Sequence, residues 1–313
     1  METVLYVLAR AVIAVLQALP LRVVARVGRA LGALAYLLDA RHRRVALRNL
    51  ERCFGKEKSA EELHALAKEN FRRIGENFAC AAKTASMSAA EIDEVLEMAG
   101  TDVFRRYAPA DAGQKVTLIF AVGHFGNFEL YGRVSVREHG LKSATTYRGL
   151  RQPSLNRLLQ SLREHSGCLF FERRTQGAEL RAALAEGGLA LGLLADQHAG
   201  DRGLRLPFFG EDCSTSAAPA VFALRYHGPL HVSVCYRVAL ARWRIEFTDE
   251  IPTHENGRPR SVEAIMLDVN RAFEAAIRRD PANWFWVHNR WKPGKYRAQP
   301  EPTGQTAEPE PIE

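Results

Sequence analysis

Residues 116–130 read Val116-Thr-Leu-Ile-Phe-Ala-Val-Gly-His124-Phe-Gly-Asn-Phe-Glu129-Leu130. The apolar, β-branched run predicts a buried strand that stops at Gly123. A histidine follows directly, and a glutamate lies five positions later. Because open α/β sheets present their chemistry at strand ends, we expect His124 and Glu129 at the mouth of a strand-to-helix turn. There the imidazole could accept a proton while the carboxylate fixes its tautomer and stabilises the cation.

Two further apolar runs also end in polar residues. Residues 144–147 predict a strand that ends at Arg148, and residues 189–195 predict one that ends at Asp196 and Gln197. We therefore expect His124, Arg148 and Asp196 to face one crevice. The simpler alternatives are a satisfied turn histidine, a solvated Glu129, and an Asp196 that caps a helix or forms an Asx-turn.

Strands alternate with helices along the rest of the chain, which predicts an α/β layered fold. Capping-box patterns begin two of the helices, at Ser59 and at Ser88. Helices are predicted over residues 59–86, 88–97, 153–165, 177–185, 214–227 and 261–279. Strands are predicted over residues 116–122, 144–147, 167–171, 189–195, 230–238 and 242–248, the last two antiparallel.

The net charge of +7 lies entirely in the N-terminal part of the chain. Residues 1–58 hold eleven Lys and Arg against four Asp and Glu, and the remaining residues balance. This segment is also strongly apolar, which favours an anionic membrane surface as partner. Nucleic acid is disfavoured as a partner because exposed aromatics do not accompany the basic residues.

Two apolar helices are predicted in this segment, over residues 2–19 and 25–38. The first would be roughly 27 Å long, which is marginal for a span, and Arg10 at its centre would cost roughly 2.5–3.5 kcal/mol. An in-plane or shallow membrane hairpin is favoured over a transmembrane helix and over core helices of the globular domain. A cleaved signal peptide is disfavoured because the chain begins Met-Glu-Thr.

Three regions follow from these patterns: membrane-associating helices over 1–55, a catalytic domain over 56–296, and a Pro- and Glu-rich tail over 297–313, expected to be disordered.

The five cysteines are dispersed, which argues against a disulfide framework and a cysteine metal cluster. A metal site from His124, Glu129 and His198 lacks a recognised ligand spacing. The aromatic and basic run at 284–292 predicts either a core turn with cation–π packing or contact with phosphate or lipid headgroups.

At these residues the chain resembles the bacterial lipid A biosynthesis acyltransferases of the lauroyl/myristoyl type, part of the lysophospholipid acyltransferase superfamily. The resemblance covers about residues 1–296. It is carried by Arg48-Asn-Leu50 before Cys53-Phe54, Gly123-His-Phe-Gly-Asn-Phe-Glu129, Tyr147-Arg148, Ala195-Asp-Gln197 and Asn283-Trp-Phe-Trp-Val-His-Asn-Arg-Trp-Lys292.

The resemblance implies a glycerol-phosphate acyltransferase-like fold, a layered mixed sheet flanked by helices. It implies a membrane-bound O-acyltransferase on the cytoplasmic face of the bacterial inner membrane. The acyl group would pass from an acyl carrier protein (or coenzyme A) thioester to a hydroxyl of a lipid A precursor, without cofactor or metal. The HxGNxE form of the motif keeps an alternative acceptor open, either another glycolipid, such as a phosphatidylinositol mannoside, or a lysophospholipid.

The resemblance also implies roles for residues. His124 would be the general base and Glu129 its orienting partner. The residues expected to bind substrate are Asn127, Arg148, Arg163, Arg173, Asp196, Gln197, Arg290 and Lys292.

Overall fold

The computed structural model describes residues 2–107, 115–134 and 141–293. Its α-helices are α1 (Glu2–Ala18), α2 (Leu21–Leu38), α3 (Ala40–Phe54), α4 (Ala60–Thr84), α5 (Ala89–Asp93), α6 (Asp102–Arg106), α7 (Pro153–Arg163), α8 (Gly177–Glu186), α9 (Ala218–Tyr226) and α10 (Val262–Arg279). Its strands are β1 (Leu96–Ala99), β2 (Leu118–Val122), β3 (Lys142–Tyr147), β4 (Leu169–Glu172), β5 (Leu189–Leu194), β6 (Leu204–Phe208), β7 (Glu211–Thr215), β8 (Leu230–Ala239), β9 (Arg242–Phe247), β10 (His254–Glu255) and β11 (Arg258–Pro259). Short 3₁₀ helices occupy Phe128–Arg133, Glu164–Ser166 and Pro281–Asn283.

Seven strands form the central sheet, in the order β1-β9-β8-β2-β5-β3-β4. All neighbouring strands are parallel except β8 and β9, which are antiparallel as the sequence predicts. Both faces of this sheet are covered by apolar clusters that include helical residues, so the predicted layered α/β class is confirmed. The parallel neighbours β2, β5 and β3 bring three of the predicted polar strand ends to one edge.

Two predicted helices were partly wrong. The helix expected over 88–97 ends at Asp93, because residues 96–99 instead pair with β9, with Leu96 opposite Trp243. The helix expected over 214–227 begins at Ala218, because Glu211–Thr215 pairs with β6. For β1, the backbone partners lie in β9, far along the chain, which local patterns do not reveal.

Helices α1, α2 and α3 each pack against α4, and the four helices form one N-terminal layer. Helix α3, absent from the sequence prediction, is capped by Asp39, whose side chain accepts from His42 N–H. It contributes Leu50 and Phe54 to the core cluster that also contains Ile119 of β2. The boundary at residue 55 stays a prediction, and the tail over 297–313 lies outside the described residues.

Helices α1 and α2 expose much of their apolar surface. Helix α1 has no buried residue, whereas α2 buries Val24, Ala25, Gly28 and Gly32. Large apolar side chains left exposed on the two helices are Val4, Leu5, Val7, Leu8, Val12, Val15, Val23, Val27, Leu31, Leu34, Leu37 and Leu38. Among the described residues, no helix combines the length and the apolar character that crossing a bilayer requires.

Candidate active site

His124 lies directly beyond the carboxyl end of β2, in the turn that leads to the 3₁₀ helix. The turn depends on Gly126, which has φ +51° and would place a Cβ only 2.5 Å from the Cys235 carbonyl oxygen. A glycine is needed there because other residues favour negative φ and carry a Cβ. The backbone N–H of Gly126 donates to the Asn283 carbonyl at 3.2 Å, which anchors the turn to the C-terminal segment.

The partner of the imidazole is Asp196. His124 Nδ1 lies 2.7 Å from Asp196 Oδ1, and the His124 backbone N–H donates to Asp196 Oδ2, also at 2.7 Å. The indole N–H of Trp284 donates to the same Oδ2 at 2.7 Å. Since β2 and β5 are paired, with Val122 opposite Leu194, the residues two positions beyond each strand meet.

This environment keeps Asp196 ionised. Burial alone would raise the pKa of its carboxyl group, but the charge of His124 and the hydrogen bonds from His124 and Trp284 outweigh burial and lower the pKa. An ionised carboxylate only accepts hydrogen bonds, so Nδ1 of His124 carries the proton. In the neutral ring, Nε2 is then the basic nitrogen. The imidazole is mostly buried, with 15% of its side chain exposed.

His124 lines a cavity of about 490 Å³ that extends over one face of the sheet. Alternate residues of β2 and β5 face it, as the twofold periodicity of strands requires. Much of its lining is apolar: Phe104, Phe120, Val122, Val134, Leu194 and Phe247 are among the contributors. Its polar groups include His124, Glu129, Arg148, Arg163, Arg173 and Gln197. The cavity therefore offers a basic nitrogen beside space for a long apolar group.

Known proteins resemble this chain along most of its length. The family described as "Bacterial lipid A biosynthesis acyltransferase" matches residues 1–293. The chain belongs to this family. The lipid A biosynthesis palmitoleoyltransferase of Escherichia coli (strain K12) is 26% identical over 290 residues, which cover 88% of this chain and 86% of that protein. The lipid A biosynthesis acyltransferase of Shigella flexneri shows the same identity and coverage. The protein is therefore an acyltransferase, as the sequence predicts.

In this acyltransferase, the Glu129 carboxylate pairs with Arg163 and not with the His124 imidazole, for which the sequence analysis expected it as partner. Its carboxylate binds Arg163, with Oε1 2.6 Å from Nη2 and Oε2 3.1 Å from Nε. The guanidinium of Arg163 also lies over the Phe170 ring, 4.9 Å from its centroid. Spacing along the chain favoured a local partner for His124, whereas Asp196 approaches from the adjacent strand.

Three predicted substrate-binding residues line the cavity with polar side chains that remain accessible. Arg148 and Arg173 are exposed and follow the paired strands β3 and β4. Gln197 is partly buried and follows Asp196. Asp196 itself is buried and contacts the His124 imidazole, and its predicted role in substrate binding stays a prediction.

Asn127 lines a small cleft beside His124 and is not among the residues given for the main cavity. Only 1% of it is exposed, and it lines a small cleft with Phe78 and Phe285. Neither polar atom of its side chain has a hydrogen-bond partner within the described ranges. Its predicted role in substrate binding stays a prediction.

The two basic residues at the C-terminal end differ from each other. Arg290, predicted to bind substrate, is fully buried and donates to Thr215 Oγ1 at 2.8 Å and to the Ser214 carbonyl. Its guanidinium lies 5.2 Å from the centroid of Phe208, which is the cation–π packing that one of the two alternatives expected, and its predicted role in substrate binding stays a prediction. Lys292 is exposed and is not among the cavity-lining residues described.

Sequence reasoning did not assign individual roles to Trp284 and His288, although it singled out their segment. His288 Nε2 accepts the backbone N–H of His198 at 3.0 Å, just beyond Asp196. Burial, together with nearby positive charges, lowers the pKa of His288 to about 4, so this ring is neutral at pH 7. Within the described parts of the chain, no group of His, Cys, Asp and Glu side chains has an arrangement able to hold a metal ion.

Proposed function

We propose that the protein transfers a fatty acyl chain from an acyl carrier protein (or coenzyme A) thioester to a hydroxyl group of a lipid A precursor. The observation that carries this proposal is the His124–Asp196 pair at the wall of a largely apolar cavity. Family membership and the names of the two relatives support the lipid A precursor as acceptor.

His124 is the general base in this proposal. Its Nε2 takes the proton of the acceptor hydroxyl as the oxygen attacks the thioester carbonyl, and Asp196 stabilises the resulting imidazolium. The tetrahedral intermediate collapses with cleavage of the C–S bond. The imidazolium then returns the proton to the leaving thiolate, which departs as the free thiol. The attacking oxygen is supplied by the acceptor, and the thioester supplies its own leaving group.

The cavity accommodates the acyl chain of the donor. Its apolar lining ends in an aromatic cluster, where the Phe104 and Phe247 ring centroids are 4.9 Å apart and those of Phe120 and Phe247 are 5.3 Å apart. A cavity of about 490 Å³ lies in the range that small-molecule sites occupy. Arg148 and Arg173 contribute positive charge for the phosphate or sugar groups of a glycolipid.

The N-terminal helices attach the enzyme to the cytoplasmic face of the bacterial inner membrane. Their exposed leucines and valines would enter the interfacial region, and the nearby arginines would bind anionic headgroups. The acceptor and the product would thus remain in the membrane while the thioester arrives from the cytoplasm.

The reaction is tested with membranes that contain the protein, an acyl carrier protein thioester and a lipid A precursor. His124→Ala is expected to abolish transfer, and Asp196→Asn to lower kcat by about 10²–10⁴-fold, because the amide can hold the wrong tautomer. Asp249→Asn, which changes an exposed carboxylate two residues after the end of β9, is the matched control. Full transfer by the His124→Ala variant contradicts the assigned base.

The acceptor is tested separately, by mass spectrometry of total lipids from cells with and without the gene. Loss of one acyl chain from lipid A supports the proposed acceptor. Unchanged lipid A with a change in another glycolipid or a lysophospholipid supports the alternative acceptor and leaves the transfer chemistry in place.

A further inference from the structure

The indole of Trp284 makes a direct hydrogen bond to the carboxylate that binds His124. Trp284 Nε1 lies 2.7 Å from Asp196 Oδ2, while Oδ1 of the same carboxylate faces the imidazole. Only 1% of Trp284 and 1% of Asp196 are exposed, so water does not replace this bond freely. A hydrogen bond to a buried charged group is stronger than one between neutral groups.

Several contacts fix the position of this indole. The Asn70 side-chain amide of α4 donates to the Trp284 carbonyl at 2.5 Å and to the Ala282 carbonyl at 2.9 Å. The Trp286 ring packs edge-on against it, with centroids 4.7 Å apart. Its backbone also forms an isolated antiparallel bridge with Phe125, the residue after His124. The donor is therefore held against the same turn that carries the base.

We propose that Trp284 is a positioning residue, the third member of a His124–Asp196–Trp284 unit that holds the carboxylate in line with the imidazole. The proposal rests on the proposed role of His124 as general base. Asp196 Oδ2 is held by two N–H donors, so its rotation about the side-chain bonds is restricted and Oδ1 stays directed at Nδ1.

The indole also tunes the basicity of the pair. Its N–H stabilises the Asp196 anion, which reduces the stabilisation that this anion gives to the imidazolium. Removing the donor should therefore reduce the neutral, active fraction of the base at acidic pH and move the acidic limb of the activity profile to higher pH. The other ionisable groups around the pair are His198, His288, Arg290, Tyr131, Glu129 and Arg163. They are unchanged when only Trp284 is replaced.

The test compares three variants in the full-length protein. Trp284→Phe removes the donor, and a benzothienylalanine at position 284 removes it while keeping the bicyclic shape. Trp243→Phe is the matched control, because its indole is equally buried but donates to the Asn77 side-chain oxygen at 3.1 Å. Each protein is examined by the pH profile of kcat/KM and by NMR titration of its histidine imidazoles.

Both variants at position 284 are expected to shift the acidic limb of the kcat/KM profile to higher pH. We expect kcat to fall about tenfold while KM for the thioester changes less than twofold. Trp243→Phe should leave the acidic limb unchanged. An unchanged acidic limb in the benzothienylalanine protein, or an equal shift in Trp243→Phe, would overturn the proposal.

A wrong assignment of His124 as the base can be distinguished from a wrong assignment of Trp284 as its positioning residue. If His124→Ala retains transfer, the assigned base is wrong, yet the NMR titration still measures whether Trp284 controls the imidazole. If His124→Ala is inactive and the position-284 variants titrate as the wild type, only the role of Trp284 is wrong.

Discussion

At the residue scale, the polar groups of this site divide into two separate pairs, His124 with Asp196 and Glu129 with Arg163. The first pair presents a basic nitrogen to the cavity. In the second pair the two charges neutralise each other, because the Arg163 guanidinium and the Glu129 carboxylate are only 2.6 Å apart. Glu129 is therefore best understood as part of the cavity wall, where it fixes the Arg163 side chain against Phe170.

A double-mutant cycle should detect this second pair. Glu129→Gln and Arg163→Gln each leave the opposite charge partly buried, so each should destabilise the fold. The double variant should be more stable than the sum of single effects predicts, with a coupling of about 1–3 kcal/mol. The coupling energy is calculated from the free energies of unfolding of the four proteins, which denaturant titrations measure. Additive effects at positions 129 and 163, combined with coupling between 129 and 124, would instead support the partner expected from the sequence.

His288 should make stability depend on mildly acidic pH. Its pKa is about 4 in the native protein, below the ordinary 6.5, so the unfolded chain binds the proton first as pH falls. Stability is full above about pH 6.5 and declines toward pH 4. A shift of this size corresponds to at most about 3 kcal/mol, discounted to about 1–2 kcal/mol for partial exposure.

His288→Gln retains an acceptor for the His198 N–H without a titrating ring. Its free energy of unfolding should fall less than that of the wild type between pH 7 and 4.5. The contribution of His231 is present in both proteins and cancels in the difference, and the lowered pKa of Asp196 places its effect at lower pH. Parallel pH profiles for the two proteins would contradict this role.

The sequence pattern predicted His124 and Asp196 as site residues, but it did not predict that their side chains pair with each other. His124 and Asp196 could be predicted because each follows an apolar strand, and the carboxyl ends of parallel strands share an edge. Which strands are neighbours depends on sheet order, and β5 lies between β2 and β3 although it comes after both in sequence. Trp284 could not be assigned, since it reaches Asp196 from 88 positions away.

At the element scale, prediction succeeded where local signals were strong. The capping boxes at Ser59 and Ser88 form as expected, and strands β2 and β5 appear as continuous apolar runs. The β6–β7 hairpin was missed because its turn, Phe209-Gly210, lacks the usual Asn-Gly or Asp-Gly signal. Phe209 nonetheless adopts φ +53° and Gly210 φ +76°, which fits a two-residue hairpin turn.

The close packing of α2 on α4 depends on glycines. The apolar periodicity of the sequence does not identify these glycines as contact positions. A Cβ at Gly32 would lie 2.2 Å from the Phe71 carbonyl oxygen, and one at Gly75 would lie 2.2 Å from that of Gly28. Backbone atoms cannot rotate away as side chains do, so the helices would have to separate. The ion pair between Arg29 and the buried Glu76 joins the same two helices.

Gly32→Ala should therefore destabilise the protein, although alanine favours helix by up to about 1 kcal/mol. Overpacking at this contact should cost about 1–3 kcal/mol and outweigh that gain. Gly177→Ala at the start of α8 is the matched control, since its Cβ would approach no atom closer than 3.5 Å. Thermal denaturation measures the Tm of both variants and of the wild type, and only Gly32→Ala should have a lower Tm. A higher Tm for Gly32→Ala than for the wild type would show that the helices adjust without cost.

At the scale of the whole molecule, charge and apolar surface are concentrated in the same N-terminal layer. The sequence predicted this because the excess of positive charge falls within residues 1–58. The way that α2 and α4 bury one face of this layer depends on tertiary contacts that were not predictable. Helix α1 exposes Leu8 at 59% and Val12 at 59%, one helical turn apart.

This exposed face should govern binding to lipid vesicles. A Leu8→Glu/Val12→Glu variant is expected to bind vesicles containing anionic phospholipid at least tenfold more weakly, because each buried Leu or Val contributes roughly 1.5–3 kcal/mol. Val221→Glu/Val238→Glu is the control, since both residues are 42% exposed outside the N-terminal layer. Sedimentation with vesicles measures bound protein. Raising salt should weaken binding of the wild type further, because the arginines of this layer act through screened charges. Equal binding by the two double variants would place the membrane contact elsewhere on the protein.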